Sequence, residues 1–499
     1  MKRLGWERPD VVIVSGDTYL DSPYSGSAII GHWLMAHGFR VGIIAQPDID
    51  SPDDITRLGE PLLFWGVTAG SVDSMVANYT ALRKRKKSDD MTPGETNDRR
   101  PDRATIKYTN LIRQYFKNTA PIVLGGVEAS LRRIAHYDFW TDSIRRSVLF
   151  DAKADYIAYG MAEQTTLELA RALASGEDPR SIRGLCYISN DYPDEYLQLP
   201  DYEACKADDR AFEESFLQFY KNTDPLNSKG LCQKHAGRWL VQNPPNYYLN
   251  QEDLDKVNEL DYEYRVHPYY KKIGNVPGEQ TVKFSINSHR GCFGECNFCA
   301  IAVHQGRTIR SRSEKSILRE AKTYSKMKDF RGNIYDVGGP TANMYAMECK
   351  VQQKKGSCRN KRCAFPDFCE SMNIDHAQQT ALLRKIRQLP KVKNVFLGSG
   401  VRYDLIMADD KSGRRYLKDV IDHHISGQMK IAPEHADAEV LKAMGKPPAY
   451  SVAEFKQAFD KFNKIKGKQQ FLTYYFIAGH PGCDLKSARE LRRYISKHL

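Results

Sequence analysis

The sequence predicts an α/β protein with two strand-and-helix series separated by a weakly periodic middle. Three observations lead there. Short apolar runs alternate with helix-like stretches from residue 11 to about residue 174. The alternation resumes at the strand-like run 281–287 and continues to the last residues. That second series opens directly into a loop with C-x3-C-x2-C spacing. At 499 residues and 41% hydrophobic side chains, the chain has room for more than one core. The expected domains are 1–180, a Rossmann-like α/β sheet; 181–275, an αβ connector; and 276–499, a second α/β domain carrying a Cys-rich insertion at 345–372.

In the first series, the strand signal at 11–14 ends in Ser15-Gly16-Asp17, and a helix-like stretch at 27–37 leads to a second strand at 40–44. The pattern repeats as a strand at 62–67, a helix near 71–83, strands at 121–126 and 154–160, and a helix at 163–174. Strands alternating with helices imply an open parallel sheet with its crevice at the carboxyl ends of the strands. From 181 to 275 prolines interrupt acidic and aromatic segments. The tyrosine-rich pieces 243–248 and 262–270 are read as packing surfaces rather than platforms for stacked bases.

Lys plus Arg number 74 against 62 for Asp plus Glu, a formal charge of +12. This excess is compatible with a polyanionic partner such as RNA. The densest basic run, Arg83-Lys84-Arg85-Lys86-Lys87, reads as a solvated loop. Neither an apolar leader nor an uncharged stretch of membrane-spanning length is present, so no membrane association is expected and the expected compartment is the cytoplasm. Eleven cysteines are too sparse for a disulfide scaffold, and their clustering in the second half points to metal under reducing conditions.

The cysteine loop reads Gly291-Cys292-Phe293-Gly294-Glu295-Cys296-Asn297-Phe298-Cys299. Cys292, Cys296 and Cys299 suit three corners of a [4Fe–4S] cluster and leave one iron without a protein ligand. Gly291 and Gly294 permit positive φ, and Phe298 is placed to shield one side of the cluster. The bland alternative is a zinc knuckle or three unrelated thiols, but zinc usually takes four ligands in paired sets. The spacing, with an aromatic before the last cysteine, resembles the radical S-adenosylmethionine (SAM) superfamily. That resemblance implies that SAM binds the open iron and that an electron from the cluster cleaves its sulfonium to a 5′-deoxyadenosyl radical.

Residues 306–314 lead into a helix with Ser313 as its N-cap. The strand at 332–337 ends at Gly338-Gly339-Pro340, which resembles the superfamily's GGE motif at the methionine amino group. A third strand, 393–404, carries Ser399 and Arg402 at its carboxyl end. A fourth, 427–435, carries Glu434 and precedes Val440-Leu441-Lys442-Ala443-Met444-Gly445-Lys446. A fifth, 471–482, ends in Gly479-His480-Pro481-Gly482, like the superfamily's turn beside adenine. In a βα barrel the strands' carboxyl ends carry the site. The resemblance therefore implies cofactor contacts at Phe298, Gly338, Gly339, Ser399, Arg402, Glu434 and Gly479. Taken together the motifs look like the YgiQ-type subfamily, which brings no substrate with it. Five βα units are counted where the superfamily's partial barrel has six, so the last strand is expected to be lacking, through an incomplete chain or a strand supplied from elsewhere.

The first series resembles the cobalamin-binding domain found ahead of many radical SAM barrels. The histidine of the D-x-H-x-x-G motif is absent from Asp17-Thr18-Tyr19-Leu20-Asp21, so cobalamin is not expected. Cys349, Cys358, Cys363 and Cys369, at C-x8-C-x4-C-x5-C in a basic, core-poor insertion, form a candidate second metal site. Their spacing leaves zinc, an auxiliary iron–sulfur cluster and free thiols open. The expected function is SAM cleavage with a [4Fe–4S] cluster, acting on an unknown substrate and fed by a flavodoxin or ferredoxin. No catalytic base is assigned; His289, His435 and Tyr403 are read as packed or solvated rather than as proton relays. The alternatives are a cobalamin-dependent radical SAM methyltransferase and a non-catalytic, cluster-bearing RNA-binding or scaffold protein.

Overall fold

The computed structural model describes residues 1–448, 450–466 and 469–499. They form two compact units, 1–249 with 257–283 and 250–256 with 284–499.

The first unit is built on β1 (Val11–Ser15), β2 (Val41–Ala45), β3 (Phe64–Thr68), β4 (Ile122–Gly125), β5 (Tyr156–Ala158), β6 (Leu185–Ser189), β7 (Leu197–Gln198), β8 (Leu231–His235) and β9 (Arg238–Gln242). They make one nine-stranded sheet in the order β7-β8-β9-β6-β5-β4-β3-β1-β2. β1 runs parallel to both neighbours, with Ile13 opposite Ile43 on one side and Gly66 on the other. Every residue of β1 is buried, as a valine- and isoleucine-rich run covered on both faces should be. Helices α1 (Gly26–Ala36) and α2 (Glu163–Ser175) pack Ile29, Trp33, Leu34, Leu167 and Ala170 into the core with Val11 and Ile13.

Residues 181–275 supply β6–β9 to this same sheet. β6 joins β5 antiparallel, and β8 and β9 form a hairpin. Its turn is Ala236-Gly237, both residues at positive φ (46° and 90°), the conformation that tight hairpins favour. Two local expectations are corrected. The helix expected at 71–83 is confined to Ser74–Asn78: Asp73 caps its start, and Tyr79 turns extended to bridge Arg85. The strand expected at 281–287 begins only at Ser285, because Pro277 starts a helical turn at Gly278–Val282.

The segment after β3 closes over the carboxyl ends of β1 and β2. Arg100, 1% exposed, donates to the Gly16 carbonyl and pairs with Asp17 and Asp89. Gln46, just past β2, donates to Gly16 O at 3.0 Å and to Thr92 Oγ1 at 2.7 Å.

In the second unit β10 (Ser285–Asn287) pairs parallel with β12 (Asp336–Gly338), and β11 (Asn333–Ile334) with β13 (Asn394–Val395). Val401 bridges Ile431 of β14 (Gln428–Glu434), and β14 pairs parallel with β15 (Phe471–Phe476). Neighbours in space thus follow chain order, as in a partial (βα) barrel. Between and after the strands run α3 (Glu314–Lys326), α4 (Ala377–Arg387), α5 (Gly413–His423), α6 (Ala438–Ala443), α7 (Val452–Lys466) and α8 (Leu485–His498). Ser313 caps α3 as expected, accepting from Ser316 N. Ile286, Val337, Val395 and Ile431 from the strands are buried with Leu383, Ile386, Leu417 and Ile421 from the helices. Among the described residues, no helix is long and apolar enough to cross a membrane.

Candidate functional site

The cysteine loop leaves the barrel just past the short extended pair His289–Arg290, which hydrogen-bonds to Arg310–Ser311. Gly291 is required there. Its φ is +84°, and a Cβ would lie 2.3 Å from the Thr308 carbonyl oxygen. Beyond it, Cys292 N donates to Gly306 O at 3.1 Å, and Gly294 N points at Cys292 Sγ at 3.4 Å. Glu295 is buried and pairs with the equally buried Arg307 at 3.1 Å. Asn297 staples the loop to the end of α6, donating from N to Met444 O at 2.9 Å and from Nδ2 to Ala443 O at 2.8 Å. Cys299 N then returns to Cys296 O at 2.9 Å.

The three thiols are close enough to act on one another. Burial raises the Cys292 thiol's pKa and Cys296 adds to the shift, while Arg402 and the Gly294 amide pull the other way. Burial pushes Cys299 up to about 11, with Cys292, Cys296 and Glu434 adding to it. Among the described residues, no three His, Cys, Asp or Glu side chains converge so that a single metal ion could hold them. A zinc knuckle usually takes four ligands in paired sets, and this loop brings three thiols. Three thiolates suit a cubane, in which each takes its own iron. The donor set of the loop therefore fits a [4Fe–4S] cluster with one iron left open.

The carboxyl ends of the strands carry the other expected residues. Gly338 accepts from Ser288 through both backbone N (2.6 Å) and Oγ (3.0 Å). Gly339 lies against His289, where a Cβ would come within 2.6 Å of Nε2 and 2.7 Å of the carbonyl oxygen. His289 is buried, and burial lowers its imidazole pKa to about 4, so it is neutral near pH 7. Ser399 is tied to Asp336, whose carboxylate accepts from Ser399 Oγ, from Ser399 N at 3.1 Å and from Gly398 N at 2.9 Å. Arg402 forms a two-pronged pair with Asp404, and its backbone exchanges hydrogen bonds with the Asn343 amide at 2.8 and 3.0 Å. Glu434 ends β14 at φ 70° with its carboxyl 3.9 Å from Lys446. Burial raises the Glu434 pKa against the pull of Lys446 and Arg402, and burial lowers that of Lys446.

Electrostatics thus gather Arg402, Glu434 and Lys446 around the thiols: Arg402 acts on Cys292 and Cys296, Lys446 on Cys296, and Glu434 on Cys299. Two expected residues are exposed. Phe298 is 40% exposed with its ring edge-on to His480, and Gly479, at φ +73°, has open space where a Cβ would be. Asp336, Asp404, Glu295 and Lys446 escaped the sequence reading. A charge at the end of a barrel strand was the available signal for Asp336. Of the second cysteine set, Cys349 and Cys363 are buried, Cys369 is half-buried and Cys358 is exposed.

Comparison with known proteins covers the whole chain. Residues 1–285 match the Radical SAM N-terminal family, and residues 286–495 match the Radical SAM superfamily. A UPF0313 protein of Fusobacterium nucleatum is 54% identical, the match covering 100% of this chain and 88% of the relative. UPF0313 proteins of Thermotoga maritima (47%; 100% and 88% covered) and Methanocella arvoryzae (48%; 99% and 82% covered) are similar in the same way. Among solved structures, the radical SAM methyltransferase TsrM from Kitasatospora setae, solved with cobalamin and a [4Fe–4S] cluster bound, matches at a TM-score of 0.54 and 15% identity. The match covers 97% of this chain and 70% of that one. At that identity the likeness concerns the fold. It gives this chain no cobalamin, and it leaves the expectation that cobalamin is absent without support.

Proposed function

Because the chain belongs to the radical SAM superfamily, and within it to the UPF0313 proteins, we propose that it is an enzyme that reductively cleaves SAM and uses the resulting 5′-deoxyadenosyl radical on a substrate still to be identified. The observation that carries this reading is the gathering of the Cys292, Cys296 and Cys299 thiols with Arg402 and Glu434 at the strands' carboxyl ends. When bound, the cluster supplies one electron to the sulfonium of SAM.

The chain's own residues do the rest. The thiols of Cys292, Cys296 and Cys299 would hold the cluster and leave one iron open to SAM. The Gly338-Gly339 backbone offers a close approach for the methionine end of SAM. Ser399, fixed by Asp336, and Glu434, beside Lys446, line the polar side of the site, and the open turn at Gly479 receives the adenine. Arg402, its charge partly balanced by Asp404, sets a positive charge beside the thiolates and tunes the cluster electrostatically. Phe293, fully buried, keeps water from the back of the loop, a role that Phe298, 40% exposed, does not fill. The electron comes from a flavodoxin- or ferredoxin-class donor, and the working compartment is the reducing cytoplasm.

The test is anaerobic reconstitution followed by reduction with dithionite or flavodoxin in the presence of SAM. The expected product is 5′-deoxyadenosine with methionine. A loaded, reducible cluster that binds SAM and yields none would defeat the reading in favour of a non-catalytic scaffold, for which salt-sensitive RNA binding is the companion assay.

A second reading, cobalamin-dependent methyl transfer, is favoured by the likeness in fold to a protein solved with cobalamin. At the carboxyl end of β1, however, no histidine lies between residues 16 and 24, and Asp17 is engaged by Arg100 and by Ser71 N. These residues do not provide the imidazole ligand to cobalt. Corrinoid absorbance after reconstitution with cobalamin separates the two readings.

A further inference from the structure

We infer that Cys349, Cys358, Cys363 and Cys369 bind a second iron–sulfur cluster, packed against the back of the first cysteine loop. The inference rests on the quartet's own geometry and stands or falls separately from SAM cleavage.

The segment is a closed excursion from the barrel. Cys349 bridges Met372, and Asn373 N donates to Glu348 O at 3.1 Å, so the chain leaves and returns at one point with all four cysteines inside. Within it, Cys369 N donates to Cys363 O at 2.9 Å. The thiols of Cys349, Cys358 and Cys369 all act electrostatically on Cys363. The bland role for a buried cysteine is that of a small apolar side chain, which suits Cys186, Cys205 and Cys232 in the first unit. The quartet differs in gathering four thiols within one short excursion, whereas Cys205, which Gln233 and Ser215 also hydrogen-bond, stands in the first unit with no thiol acting on it. Gln352 Nε2 donates to Cys363 Sγ at 3.2 Å, and Cys369 receives hydrogen bonds from Lys361 and from the amide and hydroxyl of Ser371. Hydrogen bonds to the sulfurs are what hold and tune cluster ligands.

Zinc is the competing ligand, since it would hold the same four sulfurs about 2.3 Å from one ion; the metal count separates it from a cluster.

The quartet also adjoins the first site. Phe293, fully buried, shares an apolar cluster with Cys349, Cys363, Ala364 and Met372, against which Cys292 and Cys369 also pack. Arg307 donates to both Glu295 and the Cys358 carbonyl, and Arg362 donates to Glu295 O at 3.4 Å. The two cysteine sets thus share one apolar wall and one buried ion pair.

The experiment uses the full chain, purified and reconstituted anaerobically, with iron, sulfide and zinc counted per chain. About eight irons are expected for two cubanes, or about six if the second cluster is [2Fe–2S]. A triple variant, Cys292→Ala with Cys296→Ala and Cys299→Ala, should keep visible absorbance and a reduced-state electron paramagnetic resonance (EPR) signal that SAM does not alter. A double variant at the two more accessible ligands, Cys358→Ser with Cys369→Ser, should lose that signal and keep the SAM-responsive one. One zinc per chain, or no more than four irons in the intact protein, overturns the inference whether or not the variants fold. Failure of the SAM-cleaving reading appears elsewhere, as a double variant without a SAM-responsive cluster.

Discussion

Arg402 occupies the space that a side chain at Gly294 would fill: a Cβ built on Gly294 comes within 2.2 Å of Arg402 Nη1, with Cys292 Sγ 3.3 Å away. The glycine in the cysteine loop is therefore the gap through which a guanidinium reaches the thiols. Because Asp404 grips that guanidinium through both Nε and Nη2, the arginine has little freedom to step aside. Gly294→Ala should displace the charge without removing it, lowering the rate of 5′-deoxyadenosine release about tenfold, the effect of about 1.4 kcal/mol on a barrier. Iron content is measured alongside. An unchanged rate with a full cluster would mean that the charge of Arg402 is not felt there.

Cys292→Ala, Cys296→Ala and Cys299→Ala should each abolish SAM-dependent spectral change, since losing one of three thiolates leaves two irons unheld. Each variant should lose about four irons relative to the intact chain. Iron and sulfide contents equal to the parent's in all three would remove these residues as ligands.

Acid stability should depend on Asp409. Burial raises its pKa, but hydrogen bonds from the side chains of His376 and Ser412 and from both backbone amides outweigh this and hold the carboxyl below its ordinary 3.8. A depressed acid stabilises the fold above its unfolded pKa and loses that contribution as pH falls through the folded value. Asp409→Asn should therefore lower stability near neutrality and flatten the pH dependence below about pH 4. Denaturant midpoints at pH 7 and pH 3 check it; parallel curves for parent and variant would contradict it.

Arg100→Met should cost the first unit about 3–5 kcal/mol, because Asp17 and Asp89 would be left buried without their cation. Adding Asp17→Asn should recover part of the loss. A denaturant midpoint within experimental error of the parent's would show that water or a neighbouring donor replaces the guanidinium.

Local motifs were more legible in the sequence than strand pairing. The spacing of Cys292, Cys296 and Cys299 and the glycines at 338–339 carry local constraints that hold whatever surrounds them. The parallel strands β1–β4 were legible because burial on both faces makes them unbroken apolar runs. The extension of the sheet by β6–β9 was not, because its strands are short and set among prolines, and their partners lie far along the chain. Lys446 was hidden for a related reason: only tertiary packing carries a lysine on an apparently ordinary helix end to within 3.9 Å of Glu434. Asp404 was visible as a letter, but its service to Arg402 was not.

The meeting of residues 348–349 with 372–373 makes the intervening stretch a pendant on the barrel. Chain can be added to or removed from it without shifting the register of β12 against β10 or of β13 against β11. Length variation there is thus nearly free of topological penalty, whereas the same change between β14 and α6 would move Glu434 relative to Lys446. The content of such a pendant can therefore change while the cysteine loop and the barrel strands stay in register.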